Sequence, residues 1–161
     1  MASSTTIPLP ARSALLGVLA GARSMTPLAV LVLNHHRPSL AGAWQTWPVL
    51  REPAGRLAIV LAAAGELVVD KLPATPSRTK PGPLLGRIGS GALVGAALAT
   101  TGRGEHVNTG AVLGAIGGLV GTLAGAALRT GGQQTGLPDA VFAVVEDAAT
   151  ITCALAMVSA E

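Results

Sequence analysis

Long apolar runs separated by short polar connections are the feature that most constrains how this chain folds. Five such runs occupy residues 13–33, 53–72, 88–101, 107–128 and 138–158. A run of about 20 residues crosses the ~30 Å hydrocarbon core of a bilayer as a helix. Four of the runs reach that length. The pattern predicts an all-α fold, a polytopic bundle of four to five transmembrane helices.

The third run, at residues 88–101, leaves two alternatives. As a helix it is only about 21 Å long, which is short of the hydrocarbon thickness. Either the helix begins earlier, at Leu84, and Arg87 snorkels outward to the membrane surface, or the run forms a half-helix.

The composition supports a membrane protein, because 50% of the residues are hydrophobic and only 12% are charged. Soluble domains carry about 25% charged residues, so this chain has too little charge to cover a soluble surface. Aromatic residues make up 2% of the chain, whereas glycine occurs 21 times. We therefore expect helices that pack closely through small residues.

The predicted organisation is a short tail followed by one membrane domain. Residues 1–12 are rich in Ser, Thr and Pro and are predicted to be a disordered tail, and residues 13–161 form a single transmembrane domain. A secretory signal is the alternative for the first run, because Ala20-Gly21-Ala22 resembles a cleavage site. The run resumes at Met25, however, which favours a membrane helix.

The polar connections indicate orientation and partners. Residues 34–52 contain Trp44 and Trp47, and we expect this connection to lie along the membrane surface, where half-buried indoles are common. Six basic residues flank one side of a five-span bundle and four flank the other, which favours a cytoplasmic N-terminus in the inner (plasma) membrane. The basic segment at residues 74–87 is a candidate site for anionic lipid headgroups.

Glycines recur at helical spacing and predict close helix contacts, both within the chain and in a homodimer. Gly17 and Gly21 form one such pair in the first run. The later runs contain Gly91, Gly95, Gly110, Gly114, Gly117, Gly118, Gly121 and Gly125. The alternative is that these glycines line a narrow pore. The similar sequences at residues 91–96 and 110–115 also predict an internal repeat, a common feature of transporters.

Charged residues inside the apolar runs are the candidate site. Each charge near the middle of a membrane helix costs about 2.5–3.5 kcal/mol on insertion scales, so such groups face the bundle interior and find partners. The predicted intramembrane polar site comprises Arg23, Glu66, Asp70, Lys71, Glu146 and Asp147. This site either binds a small solute or ion, or it is a set of ion pairs that locks the helices together. Asp70 and Lys71 lie near the end of a run and have a third alternative, the membrane interface.

Arg23 is predicted to pair with one of these carboxylates. It is near the middle of the first run, where an unpaired guanidinium would be costly. Glu66 and Glu146 lie closest to the same depth, so we expect one of them as the partner before Asp147 or Asp70.

Several other functions are disfavoured by the sequence. The basic residues are scattered, which argues against a nucleic-acid surface. Cys153 is the single cysteine, so an intrachain disulfide is excluded, and the three histidines do not make a metal site with it. No phosphate-binding loop, zinc-protease motif or Ser/His pair within a helix supports an enzyme, and no cofactor is expected.

Several segments resemble one family. They are residues 21–27 (Gly-Ala-Arg-Ser-Met-Thr-Pro), 65–73 (Gly-Glu-Leu-Val-Val-Asp-Lys-Leu-Pro), 76–78 (Pro-Ser-Arg) and 145–148 (Val-Glu-Asp-Ala). Together they resemble the small bacterial integral-membrane family catalogued as domain of unknown function 4126, over nearly the whole chain from about Leu15. The family pattern begins Gly-Leu-Arg-Ala where this chain has Gly-Ala-Arg-Ser, and Arg23 is retained. The resemblance implies a multi-span membrane protein without an assigned activity.

Three functions follow as expectations. The first is a transporter or channel-like protein for a small solute or ion, built around the charged site and working as a homodimer. The second is a structural or partner-binding membrane protein whose buried charges only lock helices. The third is a protein that binds anionic lipid through residues 74–87.

Overall fold

A computed structural model describes residues 7–69, 79–101, 106–133 and 139–159, and the regular structure in these ranges is helical. Two 3-10 turns, Pro38–Leu40 and Ala43–Thr46, lie between α2 and α3. The helices are α1 (Leu9–Ala22), α2 (Thr26–Leu33), α3 (Pro48–Arg51), α4 (Pro53–Val69), α5 (Pro81–Ala99), α6 (Val107–Gln133) and α7 (Asp139–Ser159).

Three of the described helices are long and apolar enough to cross a membrane. They are Pro81–Ala99, Val107–Gly131 and Val141–Ser159. Helix α1 is apolar but shorter, and α4 has 17 residues up to Val69. The chain is therefore a helical membrane protein by the length and apolarity of its helices, and the full count of four to five spans stays a prediction.

The first apolar run does not form one helix, contrary to the prediction for residues 13–33. Helix α1 ends at Ala22, Arg23 is extended with φ −138° and ψ 105°, and α2 begins at Thr26. The physical reason is Pro27. Within a continuous helix its ring would clash with the carbonyl four residues earlier, which belongs to Arg23.

The start of α1 also differs from the prediction, because residues 9–12 are helical and do not belong to a tail. Pro10 occupies the first turn, where its missing N–H costs no hydrogen bond. Arg12 is buried, and its Nε donates to the carbonyl of Met157 at 2.9 Å, which fixes α1 to the last turn of α7.

Helix α6 packs between α1 and α5 through its glycines. A Cβ on Gly114 would overlap the carbonyl oxygen of Gly91 on α5. A Cβ on Gly117 would overlap the carbonyl oxygen of Ala14 on α1, and one on Gly121 that of Val18. The glycines of α6 therefore make close contacts within the chain on both sides of this helix. A homodimer would have to use another surface.

The connection between α2 and α4 folds back onto the bundle, so Trp44 is not a half-buried interface residue as expected. Its side chain is fully buried, and its Nε1 donates to the carbonyl of Leu40 at 2.7 Å. The Trp44 amide donates to Thr100 Oγ1 at 3.1 Å, immediately after α5. The bond to Leu40 satisfies the indole N–H and the bond to Thr100 satisfies the backbone amide, so Trp44 is buried with both donors paired. Trp47 is partly buried against the same core.

Candidate functional site

The break between α1 and α2 creates two helix ends inside the bundle, and the first is bound by Arg87. Nη1 of Arg87 donates to the carbonyls of Gly21 at 2.7 Å and Ala22 at 2.5 Å. The C-terminal end of a helix has unpaired carbonyls and a partial negative charge, which a guanidinium satisfies. Arg87 is buried and turned inward from α5, so the expected outward snorkelling is wrong. Helix α5 begins at Pro81, earlier than either sequence alternative.

Glu66 binds the second helix end, the N-terminal side of α2. Its Oε1 accepts hydrogen bonds from the Ser24 amide at 2.8 Å and the Ser24 hydroxyl at 2.7 Å. Its Oε2 accepts one from the Met25 amide at 2.9 Å. A carboxylate here satisfies exposed amides and complements the positive end of the helix dipole. Glu66 Oε1 also lies 3.5 Å from Nη2 of Arg87, so one ion pair joins both broken ends.

Arg23, at the break itself, faces α7. It is completely buried, and its Nε lies 2.6 Å from Oδ1 of Asp147. Its Nη2 lies 3.9 Å from Oε2 of Glu146. Arg23 therefore contacts carboxylates, and Asp147 lies closer to it than Glu146, contrary to the order expected for these two. Glu66 is held instead by the amides that the helix break exposes, which depth along the run could not indicate.

Glu146 is shared between two guanidinium groups. Its Oε2 lies 3.7 Å from Nη2 of Arg129 on α6, in addition to the 3.9 Å contact with Arg23. Its side chain is 22% exposed, against 12% for Asp147. Arg129 directly follows the fourth apolar run, a position typical of the basic residues that flank a membrane helix. Helix α6 continues to Gln133 and brings this side chain to α7.

Smaller polar side chains complete the site, and the sequence analysis did not single them out. Thr122 Oγ1 donates to the carbonyl of Gly118 at 2.7 Å and reaches the carbonyl of Gly21 at 3.3 Å. The Ser90 hydroxyl donates to the carbonyl of Ser24. A Ser or Thr within an otherwise apolar run, as at both positions, is the sequence signal that could have indicated them.

Of the predicted site residues, the structure brings Arg23, Glu146 and Asp147 into one cluster and places Glu66 across the break from them. Asp70 and Lys71 lie outside the described residues. In the described part of the chain the site contains three arginines and three carboxylates. Charged groups in a low-dielectric interior need such partners of opposite charge.

A pocket of about 360 Å³ adjoins the charged cluster. It lies between α6 and α7, with Leu19 of α1 as a further wall. Arg129 and Glu146 provide its charged lining, and most other lining residues are apolar. Pockets of about 300–1,000 Å³ are typical of small-molecule sites.

The described residues contain no group of three His, Cys, Asp or Glu side chains suited to a metal ion. Comparison of the chain with protein-family models, with curated proteins and with solved structures gives no match. The resemblance to the family catalogued as domain of unknown function 4126 therefore stays a prediction.

Proposed function

We propose that the protein is a transporter or channel-like protein for a small solute or ion in the inner membrane, with a cytoplasmic N-terminus. The observation that carries the proposal is the interrupted helix α1–α2, whose two ends meet buried charges from α4 and α5. Discontinuous helices at mid-membrane depth are how many transporters form their solute sites, because helix ends present amides and carbonyls to a solute. A span with a purely structural role would not need this break and could be one continuous helix.

The second candidate, a structural lock, is favoured by a different observation. Glu66 already accepts three hydrogen bonds, and Arg87 donates to two carbonyls. A site whose own side chains satisfy both helix ends stabilises the bundle without any solute. The two candidates differ in whether a carboxylate must move or exchange partners during function.

The third candidate, an anionic-lipid site on residues 74–87, is weakened by the position of Arg87. This side chain binds α1 in the bundle interior and is not available to a headgroup. Residues 74–78 of that segment lie outside the described residues.

Charge movement in proteoliposomes distinguishes the first two candidates. The purified protein is reconstituted and exposed to concentration jumps of H⁺, Na⁺, K⁺ and Cl⁻ on a solid-supported membrane. A transporter gives a current with at least one of these ions, and Glu146→Gln abolishes it while the variant elutes like the parent protein. Glu146 is suited to this test because the ion pairs that the described residues give it are long, at 3.7 and 3.9 Å.

Glu52→Gln is the matched control, because Glu52 pairs with Arg51 at 2.8 Å on the exposed connection. It should leave the current unchanged. If all four jumps give only the signal of empty liposomes and Glu146→Gln merely lowers accumulation, the structural lock is the better account.

A further inference from the structure

Helix α1 and helix α2 follow α7 in opposite directions. Near the start of α1, Nε of Arg12 donates to the carbonyl of Met157 at 2.9 Å, in the last turn of α7. Directly after α1, Arg23 lies against Asp147 in the middle of α7. Beyond the end of α2, Nη1 of the next arginine, Arg37, donates to the hydroxyl of Ser159 at 2.7 Å, again at the end of α7. The two helices are therefore the arms of a hairpin whose tip lies beside the middle of α7.

The end of α5 also lies at the open end of this hairpin. The Ser13 hydroxyl donates to the carbonyl of Gly95 at 3.2 Å, and the Trp44 amide donates to Thr100 Oγ1 at 3.1 Å. Ser13 is in the first turns of α1, whereas Trp44 lies on the connection that follows α2. Both arms therefore start from the face of the bundle where α5 ends.

The hairpin reaches membrane depth without crossing. Helix α1 has 14 residues and α2 has 8, which correspond to about 21 Å and 12 Å of helix. Neither arm matches the ~30 Å thickness of the hydrocarbon core. Arg87, which binds the tip, lies about 18 Å from Ala99 at the end of α5, and α5 is long enough to cross a membrane.

The backbone at the tip has the partners that such a position requires. Irregular backbone at membrane depth occurs only where it is buried in protein or lines a water-filled cavity. Glu66 accepts hydrogen bonds from the amides of Ser24 and Met25. Arg87 donates to the last two carbonyls of α1, and the Ser90 hydroxyl donates to the Ser24 carbonyl. Side chains from α4 and α5 thus allow the chain to turn back inside the membrane.

We propose that α1 and α2 form a re-entrant hairpin, which enters and leaves the membrane at one face, and that α4, α5, α6 and α7 cross it. The start of α1, the connection after α2 and the end of α7 then share one face. If all five apolar runs crossed, the start of α1 and the end of α7 would lie on opposite faces. The hairpin does not depend on the proposed transport function, because the same contacts define it whether the tip binds a solute or only locks helices.

The sidedness of single cysteines tests the hairpin, because only the start of α1 changes its face between the two arrangements. The full-length protein with Cys153→Ser has no other cysteine and receives Pro8→Cys, Ser39→Cys, Asn108→Cys or Lys80→Cys, all at exposed positions. Bacterial spheroplasts and inside-out vesicles are treated with a membrane-impermeant maleimide. Thiols that remain unmodified are then detected after denaturation by a gel shift with PEG-maleimide.

Pro8→Cys should lose its gel shift in the same preparation as Ser39→Cys and Asn108→Cys, whereas Lys80→Cys should lose it in the other. The last three are internal controls, because both arrangements place Ser39 and Asn108 on one face and Lys80 on the opposite one. If Pro8→Cys is blocked together with Lys80→Cys, α1 and α2 cross as a broken span and the proposal is overturned.

The depth of the tip is tested with Met25→Cys, whose position packs against the apolar core. This thiol should keep its gel shift in the preparation that blocks Pro8→Cys and Ser39→Cys. Its modification there would mean that the hairpin lies at the membrane surface, which would also overturn the proposal.

A distance measurement is independent of reagent access. Nitroxide labels on the double variant Pro8→Cys/Ser39→Cys, in the same Cys153→Ser background, are measured by double electron–electron resonance in phosphatidylcholine nanodiscs. The hairpin predicts a main distance shorter than the ~30 Å hydrocarbon core, because both labels lie at one face. A main distance equal to or longer than this thickness would place the labels on opposite faces and contradict the hairpin.

Discussion

The Nε of Arg23 lies 2.6 Å from Oδ1 of Asp147, and this contact joins the break between α1 and α2 to α7. On the other side of the break, Glu66 accepts hydrogen bonds from the Ser24 and Met25 amides. The break is thus held by two separate carboxylates from two helices. Each has a different role, and their substitutions should have different consequences.

Asp147→Ala should destabilise the protein by about 3–5 kcal/mol, because it removes the carboxylate that lies 2.6 Å from the fully buried Arg23 guanidinium. The double variant Arg23→Ala/Asp147→Ala should recover part of that loss, since neither charge of this pair is then present. Unfolding in detergent by titration with a denaturing surfactant measures the difference.

Glu146→Gln serves as a comparison on the same helix and should cost less, because its ion pairs are longer and its side chain is more exposed. Glu52→Ala, at an exposed pair, should change the free energy of unfolding by about 1 kcal/mol or less. A loss for Asp147→Ala no larger than that for Glu52→Ala would contradict the importance of the Arg23–Asp147 contact.

Glu66→Ala should destabilise the junction of α1 and α2 more than Glu66→Gln. The alanine variant removes acceptors for three donors, whereas glutamine keeps one carbonyl oxygen. Hydrogen bonds to a charged group are worth about 1.5–3 kcal/mol each, and leaving partly buried amides unsatisfied adds to the loss. Amide hydrogen exchange of Ser24 and Met25 measures the effect locally. Exchange rates that stay unchanged in both variants would show that Glu66 does not hold this end of α2.

The sequence was sufficient to predict a helical membrane bundle, its glycine-rich contacts and the buried charges of Arg23 and Asp147. The sequence could not rank the partners of Arg23, because an estimate of depth from the position in an apolar run is valid only for an unbroken helix. Pro27 interrupts that helix and exposes the amides that bind Glu66. The sequence also could not predict the partners of Arg87 and Arg129. Arg87 precedes an apolar run in sequence, and Arg129 follows one. Only the full lengths of α5 and α6 show that these side chains lie against α1 and α7.

The stability of the connection after α2 should decrease as the pH falls below about 6.5, the ordinary pKa of histidine. Burial, followed by the nearby charges of Arg56 and His36, lowers the pKa of His35. The fold therefore favours neutral His35, and its stabilising effect is complete above the unfolded pKa. As the pH falls, His35 of the unfolded chain binds a proton before His35 of the folded protein does. The stabilising effect is therefore lost between the unfolded pKa and the lower folded pKa.

Thermal unfolding in detergent between pH 7.5 and 5.5 tests this dependence. His35→Asn should reduce the slope of the melting temperature against pH. His106→Asn is the control, because His106 is exposed at the start of α6 and should leave the slope as in the parent protein. Equal slopes for all three proteins would mean that His35 does not contribute.

Membrane integration itself has a direct test. The three apolar helices should keep the protein in the membrane pellet after alkaline carbonate treatment, because about 20 apolar residues per span hold a helix in the bilayer. Release into the supernatant, or purification without detergent as a monodisperse protein, would contradict a transmembrane fold.

Two glycines on α5 provide the sharpest test of how the bundle is packed. A Cβ on Gly91 would overlap the carbonyl oxygen of Gly114 on α6, whereas a Cβ on Gly89 meets nothing within 4 Å. Gly91→Ala should therefore destabilise the bundle by at least the 1–3 kcal/mol typical of overpacking, because the opposing atom is backbone and cannot rotate away. Gly89→Ala should be neutral or stabilising by about 0.5–1 kcal/mol, since alanine is the better helix former.

Leucine substitutions on α6 extend the same test to the face that packs on α1. Gly117→Leu and Gly121→Leu would push side chains into the backbone of Ala14 and Val18 and should separate α6 from α1. Because Arg23 and Gly21 follow directly on that segment of α1, the hydrogen bond from Arg87 to the Gly21 carbonyl should weaken as well. Melting temperatures in detergent, followed through the buried Trp44, measure all four variants. If Gly91→Ala and Gly89→Ala melt at the same temperature, and both leucine variants melt like the parent protein, the glycines are not the closest contacts of the bundle.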